Sequence, residues 1–328
     1  MMSMLSRFEG ALLGAAVGDA LGMPVEGLSA DEIRRRYGEV RDFVDGRLPR
    51  GSYTDDTEMM IAVAEAILER GIDVDYIAER MARSHNMDRG YGPGTILVFR
   101  AILRGKRWSE VSPRLFGEGS YGNGCLVRTA PLVLLLHGYR EAMLKTVREV
   151  CRTTHAHRLS LEAVSILAEV MSLALEGKRD AREYLEVAAS ACESEVFRSK
   201  LAAVREALDR GEAAEKAAAK LGSGVEVHNT LPICLYLFLS NIDSFERAVL
   251  RAVNLGGDAD TNGAVVGCLS GALHGSEAIP ERWRYGVEAY DRIIDIANRL
   301  YELRMSVDEI YRRVVRRLEE ERRPAGVA

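Results

Sequence analysis

Apolar residues along this chain recur mostly at the three- and four-residue spacing that marks one face of an α-helix. The pattern is clear over residues 58–68 (E-M-M-I-A-V-A-E-A-I-L), 159–175 and 245–255. Strict alternation of apolar and polar residues, which is typical of half-buried strands, is almost absent. The pattern therefore predicts an almost entirely α-helical protein with about a dozen or more helices.

Clusters of glycine and proline interrupt the helical pattern and predict loops at residues 44–52, 90–94 and 117–124. None of these loops is long or polar enough to connect two separate domains. We therefore expect residues 1–328 to form a single domain, an all-α, compact, multi-helix orthogonal bundle.

Two segments carry a glycine at every fourth position, so that the glycines of each segment share one face of a helix. The first stripe is Gly10, Gly14, Gly18 and Gly22, and the second is Gly263, Gly267, Gly271 and Gly275. A glycine inside a helix costs roughly 0.5–1 kcal/mol relative to alanine, so four on one face need a structural reason. We predict that both helices lie at the centre of the bundle and pack tightly, and packing on each other is one way to do so.

Charge and composition argue against several classes of protein. The formal net charge of −5 argues against nucleic acid or an anionic membrane as the main partner. No stretch reaches the roughly 18 uninterrupted apolar residues of a membrane span, and Asp19 and Asp260 lie in the glycine-striped segments. The 5 cysteines show no C-x-x-C spacing, which indicates neither a disulfide framework nor a zinc cage. We expect a cytoplasmic monomer with no stable nucleic-acid or membrane partner.

Two similar clusters of threonine and aspartate each precede an apolar helical segment. The first is T-D-D-T at residues 54–57, and the second is D-A-D-T at residues 258–261. One such cluster alone is most simply an N-cap, which needs a single side-chain oxygen. The two clusters together offer six oxygen-bearing side chains, which are Thr54, Asp55, Asp56, Asp258, Asp260 and Thr261.

Hard divalent cations prefer about six oxygen ligands, and two neighbouring cations can share bridging carboxylates. Neither cluster contains histidine or cysteine, which argues against zinc. We therefore expect the two helix ends to meet around two divalent cations, Mg²⁺ or Mn²⁺. Glu26 follows the first glycine-striped segment, just past Pro24, and would approach the same site if the two striped helices pack on each other.

A glycine-rich loop, G-S-Y-G-N-G at residues 119–124, is a further candidate binding element. Its glycines expose backbone N–H groups, and we expect the following segment C-L-V-R-T-A-P-L to be a helix, so the two together predict an anion cradle. A plain loop is the alternative. His155 and His157 do not complete a zinc site by themselves, and a hydrogen bond at a helix boundary is the simplest role for His155.

These residues resemble the motifs of the ADP-ribosylglycohydrolase family, which includes the dinitrogenase reductase-activating glycohydrolases. The matching stretches are G-D-A-L-G-M-P-V-E, S-Y-T-D-D-T, D-R-G-Y-G-P-G, G-S-Y-G-N-G, T-H-A-H and G-G-D-A-D-T-N-G, in family order between residues 7 and 275. The resemblance implies an all-α bundle with a central binuclear Mg²⁺ or Mn²⁺ site. It also implies an enzyme that binds the distal ribose of ADP-ribose and hydrolyses the glycosidic bond at its anomeric carbon.

The resemblance also implies roles for individual positions. The metal-site positions are Thr54, Asp55, Asp56, Asp258, Asp260 and Thr261. Glu26 matches the mobile catalytic glutamate, and we expect Asp56 to take part in catalysis as well. The substrate-binding positions are Gly119, Ser120, Tyr121, Gly122, Asn123, Gly124, His155 and Tyr91. The expected substrate is an ADP-ribosylated protein or a small ADP-ribosyl conjugate.

Two stretches are similar to the branch of the family that removes ADP-ribose from serine and degrades its polymer. They are D-R-G-Y-G at residues 88–92 and G-S-G-V-E-V-H-N-T-L-P-I-C-L-Y-L-F-L at residues 222–239. Arginine-linked substrates remain an alternative, and Tyr91 either contacts the ribose or packs its loop. Two other functions also stay open, a noncatalytic ADP-ribose-binding or structural family member and a metal-dependent nucleotide phosphatase.

Overall fold

The computed structural model of the protein describes residues 2–322, and the side chains within this range except those of residues 312 and 314–322. This part of the chain holds 17 α-helices and short 3-10 helices, with no strand and two isolated β-bridges. The prediction of an all-α bundle is therefore confirmed. In the same part of the chain, no helix is both long enough and apolar enough to cross a membrane.

The helices are numbered here in chain order. They are α1 Met4–Gly22, α2 Ala30–Tyr37, α3 Asp55–Arg70, α4 Val74–Ser84, α5 Pro93–Leu103, α6 Trp108–Val111, α7 Ala130–Leu136, α8 Arg140–Arg152, α9 Arg158–Leu175, α10 Ala181–Ser190, α11 Glu195–Asp209, α12 Ala214–Leu221, α13 Val227–Ser240, α14 Phe245–Leu255, α15 Ala259–His274, α16 Glu281–Arg284 and α17 Tyr290–Arg322.

Helices α1 and α15 lie in direct backbone contact at the centre of the bundle. A Cβ atom added to Gly18 would overlap the backbone carbonyl of Gly263, and the same overlap recurs one turn away between Gly14 and Gly267. The residue numbers of the contacted glycines fall along α15 as the numbers of their partners rise along α1. The two helices are therefore antiparallel. A larger residue at these positions would force the backbones apart, which explains why the glycines are needed. The predicted tight central packing is confirmed, and the striped helices pack on each other.

The antiparallel pairing brings the C-terminal end of α1 beside the N-terminal end of α15. A Cβ atom on Gly22 would overlap the backbone of Ala259. After α1 the chain makes one 3-10 turn and reaches Glu26. The next residue, Gly27, donates a backbone hydrogen bond of 2.8 Å to the carbonyl of Gly257, just before α15. Glu26 is thereby held close to the second acidic cluster.

Helix α3 begins at the same point in the bundle. Its first turn donates backbone hydrogen bonds to the carboxylate of Asp19, which lies near the end of α1. The N-terminal ends of α3 and α15 and the C-terminal end of α1 therefore converge, and the two Thr-Asp clusters meet there.

Candidate functional site

The two helices that carry the Thr-Asp clusters are not capped by those clusters. At the starts of other helices, Ser3, Asp73 and Ser194 each accept a hydrogen bond from the first turn of their own helix. Thr54 and Asp258 occupy the same position in α3 and α15, but their side chains make no such bond within the described helix. The N-cap explanation of the two clusters is therefore wrong, and their oxygens face other partners.

Asp19 supplies the cap that α3 lacks. Its carboxylate accepts hydrogen bonds from the backbone N–H groups of Thr54 at 2.9 Å and Thr57 at 3.1 Å, and from the Thr57 hydroxyl at 2.6 Å. Burial raises the pKa of Asp19 to about 6, although these hydrogen bonds act in the opposite direction. This role of Asp19 was not predicted from the sequence, because an aspartate inside an apolar helix does not reveal a partner 35 residues away.

The two clusters are joined to each other and to Glu26. The hydroxyl of Thr261 donates a hydrogen bond of 2.7 Å to Oδ2 of Asp56, which ties α15 to α3. Glu26, Asp258 and Asp260 each present a carboxylate oxygen within 4.8 Å of the other two. The structure thus brings together the three sequence segments that were predicted to form one acidic centre.

Burial and mutual repulsion disfavour the charged forms of these carboxyl groups. The pKa of Asp55 is raised to about 8, chiefly by burial and then by the charge of Asp19. The pKa values of Asp56 and Asp260 lie well above that of an ordinary aspartate, again chiefly because of burial and then because of neighbouring carboxylates. A bound cation would offset both effects, since it replaces lost hydration and neutralises the crowded charge.

The donor atoms of the two clusters fit a hard divalent cation. Oγ1 of Thr54 is buried and has no hydrogen-bond partner among the described residues. A metal ion is one partner that satisfies such an oxygen. The available donors are all oxygen atoms, which Mg²⁺ and Mn²⁺ prefer, and they belong to Thr54, Asp55, Asp56, Asp258, Asp260 and Thr261.

A cavity of about 510 Å³ opens at these helix ends. Most of the residues predicted from the sequence line it: Glu26, Asp55, Asp56, Ser120, Tyr121, Gly122, Asn123, Gly124, His155, Asp258, Asp260 and Thr261. The predicted residues that do not line it are Thr54, Gly119 and Tyr91. The acidic centre and the glycine-rich loop therefore share one binding space.

The glycine-rich loop 119–124 is tied directly to the acidic centre. The side-chain amide of Asn123 donates hydrogen bonds to the carboxylate of Asp258 and, at 2.8 Å, to the hydroxyl of Thr230. The backbone N–H of Asn123 donates to the carbonyl of Val225 at 3.0 Å. Within the described residues, the backbone N–H groups of Tyr121 and Gly124 have no such acceptor and remain available to a ligand.

The helix after this loop begins later than the sequence pattern predicted. The chain stays irregular from Cys125, forms a short 3-10 helix at Val127–Thr129, and enters α7 at Ala130. Pro131 lies in the first turn of α7. Proline lacks an N–H group and is favoured at a helix start but disfavoured inside a helix, so Pro131 favours a start at Ala130 over a start one turn earlier. The predicted anion cradle therefore consists of loop backbone without a helix directly behind it.

His155 is buried against the same loop. Its Nδ1 lies 2.7 Å from the hydroxyl of Thr154, and a Cβ atom on Gly122 would lie 3.2 Å from its Nε2. Burial, and then the charge of Arg128, hold the pKa of His155 well below its ordinary value, so the ring is neutral at pH 7. His157 has a different role, because its Nδ1 accepts a hydrogen bond of 3.2 Å from the first turn of α9.

Arg128 is a fully buried cation that sequence reasoning missed. It donates hydrogen bonds to the hydroxyl of Thr154 at 2.7 Å and to the carbonyl of Cys151 at 3.0 Å. These bonds hold the turn that carries His155 against the cavity.

Tyr91 lies buried beside the cavity. Its hydroxyl donates a hydrogen bond of 2.7 Å to Oε2 of Glu58, and its ring packs at a steep angle against His85 and Phe99, with centroid distances of 5.6 and 5.7 Å. Of the two roles left open by the sequence, this placement favours packing of the loop.

Gly119 has a φ of +90°, and a Cβ atom there would overlap the backbone of residues 156 and 157. Glycine is therefore required at this position for the shape of the loop.

Two aromatic side chains stand exposed where the cavity opens. Phe116 is 68% exposed and Tyr121 is 45% exposed, and both line the cavity. Phe116 also has a φ of 54°, a left-handed conformation that is uncommon for a residue other than glycine. Their flat faces offer stacking surfaces for a planar ring. Sequence reasoning missed Phe116, because no spacing pattern distinguishes it from a core phenylalanine.

Glu26 is partly exposed at the edge of the same cavity. Its Oε2 lies 3.0 Å from Nη1 of Arg47, a residue that sequence reasoning also missed. Burial raises the pKa of Glu26, while the charge of Arg47 lowers it. The carboxylate therefore has an ion-pair partner on one side and two aspartates on the other.

Comparison with known proteins agrees with these features. The family model described as ADP-ribosylglycohydrolase matches residues 1–309. ADP-ribosylhydrolase ARH3 of Homo sapiens is 28% identical over 341 residues, which cover 91% of this chain and 94% of the relative. The ADP-ribosyl-(dinitrogen reductase) glycohydrolase of Rhodospirillum rubrum is 32% identical over 288 residues, which cover 86% of this chain and 90% of the relative.

A solved structure supports the same relationship. A chain titled "ADP-ribosylglycohydrolase-related protein complex" superposes with a TM-score of 0.73 at 32% sequence identity. The match covers 92% of this chain and 99% of that chain. The resemblance seen in the sequence motifs is confirmed, and the chain belongs to the ADP-ribosylglycohydrolase family of glycosidase-type hydrolases.

Proposed function

We propose that this protein hydrolyses the glycosidic bond at the anomeric carbon of the distal ribose of an ADP-ribosyl group, in a metal-dependent reaction. The observation that carries the proposal is the single cavity of about 510 Å³ that Glu26, both acidic clusters and the glycine-rich loop share. Family membership supports the removal of ADP-ribose. Water is consumed, and the products are free ADP-ribose and the leaving group with its proton restored.

The residues that would hold two divalent cations, Mg²⁺ or Mn²⁺, are Thr54, Asp55, Asp56, Asp258, Asp260 and Thr261. The buried Thr54 hydroxyl without a hydrogen-bond partner and the closeness of the Asp258 and Asp260 carboxylates to each other and to Glu26 support this assignment. Such a centre supplies binding positions for the two ribose hydroxyls and for an oriented water molecule.

Glu26 moves the proton at the bond that is cut. Its carboxylate lines the cavity and lies beside Asp258 and Asp260, so it faces the ribose that those residues would help to bind. A carboxyl group in this position gives a proton to the departing oxygen or nitrogen atom or takes one from the attacking water. Removal of the carboxyl function therefore slows the reaction more than it weakens substrate binding.

The buried aspartates also favour the electronic change in the sugar. Positive charge develops on the ribose ring as the glycosidic bond breaks, in the manner of an oxocarbenium ion. Asp56 is buried at the cavity wall, where little water screens its charge. With a cation bound beside it, Asp56 is ionised, and its negative charge would stabilise this positive charge more in the transition state than in the bound substrate.

The other end of the cavity fits the rest of ADP-ribose. The unpaired N–H groups of Tyr121 and Gly124 are suitable donors for a diphosphate. The exposed rings of Phe116 and Tyr121 offer stacking faces for adenine. His155, which is neutral, provides one ring nitrogen on the cavity side for a hydrogen bond to a hydroxyl or a phosphate oxygen.

We further propose that the protein acts as a single-domain, cytoplasmic monomer on an ADP-ribosylated protein or a small ADP-ribosyl conjugate. The match of the family model to residues 1–309 supports a single domain. The five cysteines without paired spacing support a reducing compartment.

The decisive experiment measures free ADP-ribose by mass spectrometry. Serine-linked, arginine-linked and polymeric substrates are each incubated with wild type or Glu26→Gln, in Mg²⁺, Mn²⁺ or EDTA. We expect release that requires a divalent cation and that falls by about 100-fold or more in Glu26→Gln, the scale of general acid-base catalysis. The substrate that is consumed identifies the leaving group.

The matched control is Glu195→Gln, because Glu195 is an exposed glutamate at the start of α11 that does not line the cavity. It should retain wild-type activity. Release of inorganic phosphate instead of ADP-ribose would identify a phosphatase and contradict the proposal. Binding of ADP-ribose without cleavage of any substrate would instead indicate a noncatalytic reader.

A further inference from the structure

The guanidinium group of Arg47 joins three segments at the edge of the site. Its Nη1 lies 3.0 Å from Oε2 of Glu26, and its Nη2 lies 3.9 Å from Oδ2 of Asp260. Nη2 also donates a hydrogen bond of 2.9 Å to the carbonyl of Arg89. One side chain from the loop before α3 thereby contacts the proposed catalytic carboxylate, the start of α15 and the loop before α5.

The loop before α5 is shaped to receive this side chain. Gly90 lies directly against it, and a Cβ atom there would overlap Nη2 of Arg47. Arg89, which supplies the accepting carbonyl, is itself anchored by hydrogen bonds to Glu58 at 3.0 Å and to Glu288 at 2.7 Å. Arg47 is therefore held by a fixed point of the structure.

Arg47 also opposes an electrostatic force on Glu26. The carboxylate of Asp258 repels that of Glu26, and the Glu26 side chain is 37% exposed, so this repulsion favours its movement toward water. Among the described residues, Arg47 is the cation that forms an ion pair with Glu26. Its bonds to Glu26 and to the Arg89 carbonyl fix both the distance and the direction of the carboxylate.

We propose that Arg47 is a positioning residue that holds the Glu26 carboxylate in the orientation from which it exchanges a proton with the substrate. This inference rests on the proposed function of Glu26. Arg47 does not line the cavity, so we expect it to act through Glu26 and not through a contact of its own with the substrate.

A double-mutant cycle tests this role. The kcat and KM for ADP-ribose release are measured for wild type, Arg47→Gln, Glu26→Gln and the double variant at saturating metal. We expect Arg47→Gln to lower kcat by about 10- to 100-fold, the scale of a small misplacement of a catalytic group, with KM changed by less than about threefold. In the Glu26→Gln background the same change should have almost no effect, because the group being positioned is gone. A full additional loss in the double variant, or a rise in KM alone, would overturn the proposal.

Two further variants separate positioning from charge and folding. Arg47→Lys keeps a cation that reaches Glu26 and should recover part of the lost kcat. Arg50→Gln is the matched control, because Arg50 is an exposed arginine of the same loop whose side chain forms no ion pair among the described residues. Mn²⁺ affinity by calorimetry should be within about threefold of wild type in Arg47→Gln. A loss of kcat that follows a loss of metal would count against positioning.

Crystal structures of wild type and Arg47→Gln provide a test that needs no activity. We expect the Glu26 carboxylate to leave its place beside Asp258 in the variant, and an unmoved carboxylate would refute the proposal. A wild-type protein that cuts no substrate would contradict the proposed function, whereas the comparison of the two structures would still decide whether Arg47 positions Glu26.

Discussion

The hydroxyl of Thr261 donates a hydrogen bond of 2.7 Å to Oδ2 of Asp56, although the two residues are 205 positions apart in the chain. This bond joins the first turns of α15 and α3. Each turn brings only part of the proposed oxygen ligand set, so neither segment alone would form the proposed metal centre. The contact between these two side chains is what makes the two helix ends one site.

Replacement of Thr261 by valine should weaken metal binding and leave the fold intact. Valine keeps the shape of threonine but removes the hydroxyl, so Asp56 loses a donor and the cluster loses one oxygen. A hydrogen bond to a charged group contributes about 1.5–3 kcal/mol, which corresponds to about 10- to 100-fold weaker Mn²⁺ binding. Isothermal titration calorimetry measures the affinity. Thr153→Val is the control, because that buried hydroxyl bonds the carbonyl of Val150 instead. Equal affinities in all three proteins would contradict the assignment.

The protein without metal should lose stability as the pH rises from about 4 to about 8. The pKa of Asp55 in the folded protein is about 8, above its ordinary value of 3.8. A group of this kind contributes stability that is complete below the unfolded pKa and is lost as the pH rises through the folded pKa. Thermal unfolding in EDTA between about pH 5 and about pH 8, inside this window, should show a steeper decline for wild type than for Asp55→Asn. Excess Mn²⁺ should remove this difference in pH dependence between wild type and Asp55→Asn. Parallel curves of melting temperature against pH in EDTA would contradict the prediction.

Alanine at position 18 should destabilise the whole protein. The added Cβ atom would overlap the backbone carbonyl of Gly263, and neither helix can yield without moving the centre of the bundle. Overpacking of this kind costs about 1–3 kcal/mol and more where backbone must shift. Urea unfolding measures the loss. Gly92→Ala is the control, because a Cβ atom at Gly92 meets no neighbour within 4 Å. Similar urea midpoints for Gly18→Ala and Gly92→Ala would show that α1 and α15 can move apart without loss of stability, which would contradict the prediction.

Removal of the Asp19 carboxylate should loosen the start of α3. Alanine would leave the N–H groups of Thr54 and Thr57 and the Thr57 hydroxyl without their acceptor in a buried place. Each buried donor left unpaired costs about 1–3 kcal/mol, so we expect a total loss of about 3 kcal/mol or more. The urea concentration at the midpoint of unfolding and the affinity for Mn²⁺ should both be lower in Asp19→Ala than in wild type. Asp31→Ala changes an exposed aspartate of α2 and should leave both unchanged. A variant as stable as wild type would mean that water replaces the carboxylate.

The sequence predicted those parts of the structure that repeat or that come in matched pairs. Helical periodicity indicated the fold class, because burial of one helix face imposes that period. The spacing of four residues between the glycines from Gly10 to Gly22 indicated a close backbone contact. Such a contact explains why the chain keeps glycines that destabilise an isolated helix. Two similar acidic clusters indicated that two helix ends meet, because one such cluster alone is most simply a helix cap whereas a matched pair suggests a shared role.

The parts that could not be predicted depend on single contacts between distant segments. Asp19 and Arg47 carry no local signal, because their roles consist of hydrogen bonds to residues elsewhere in the chain. The late start of α7 was missed because the apolar residues 125–127 directly follow the glycine-rich loop, although Pro131 marks the helix start. Tyr91 shows that a motif residue beside a site can serve the packing of its loop.

The glycine contacts between α1 and α15 recur on successive turns, so the two backbones cannot slide past each other without collision. A slip of one helical turn would move Glu26 by about 5.4 Å relative to α15. That shift exceeds the 4.8 Å within which its carboxylate meets those of Asp258 and Asp260. The register of two main chains thus sets the dimensions of the acidic centre. Insertion or deletion of a residue within either helix would therefore disable the site, whereas sequence drift in the outer helices leaves its dimensions unchanged.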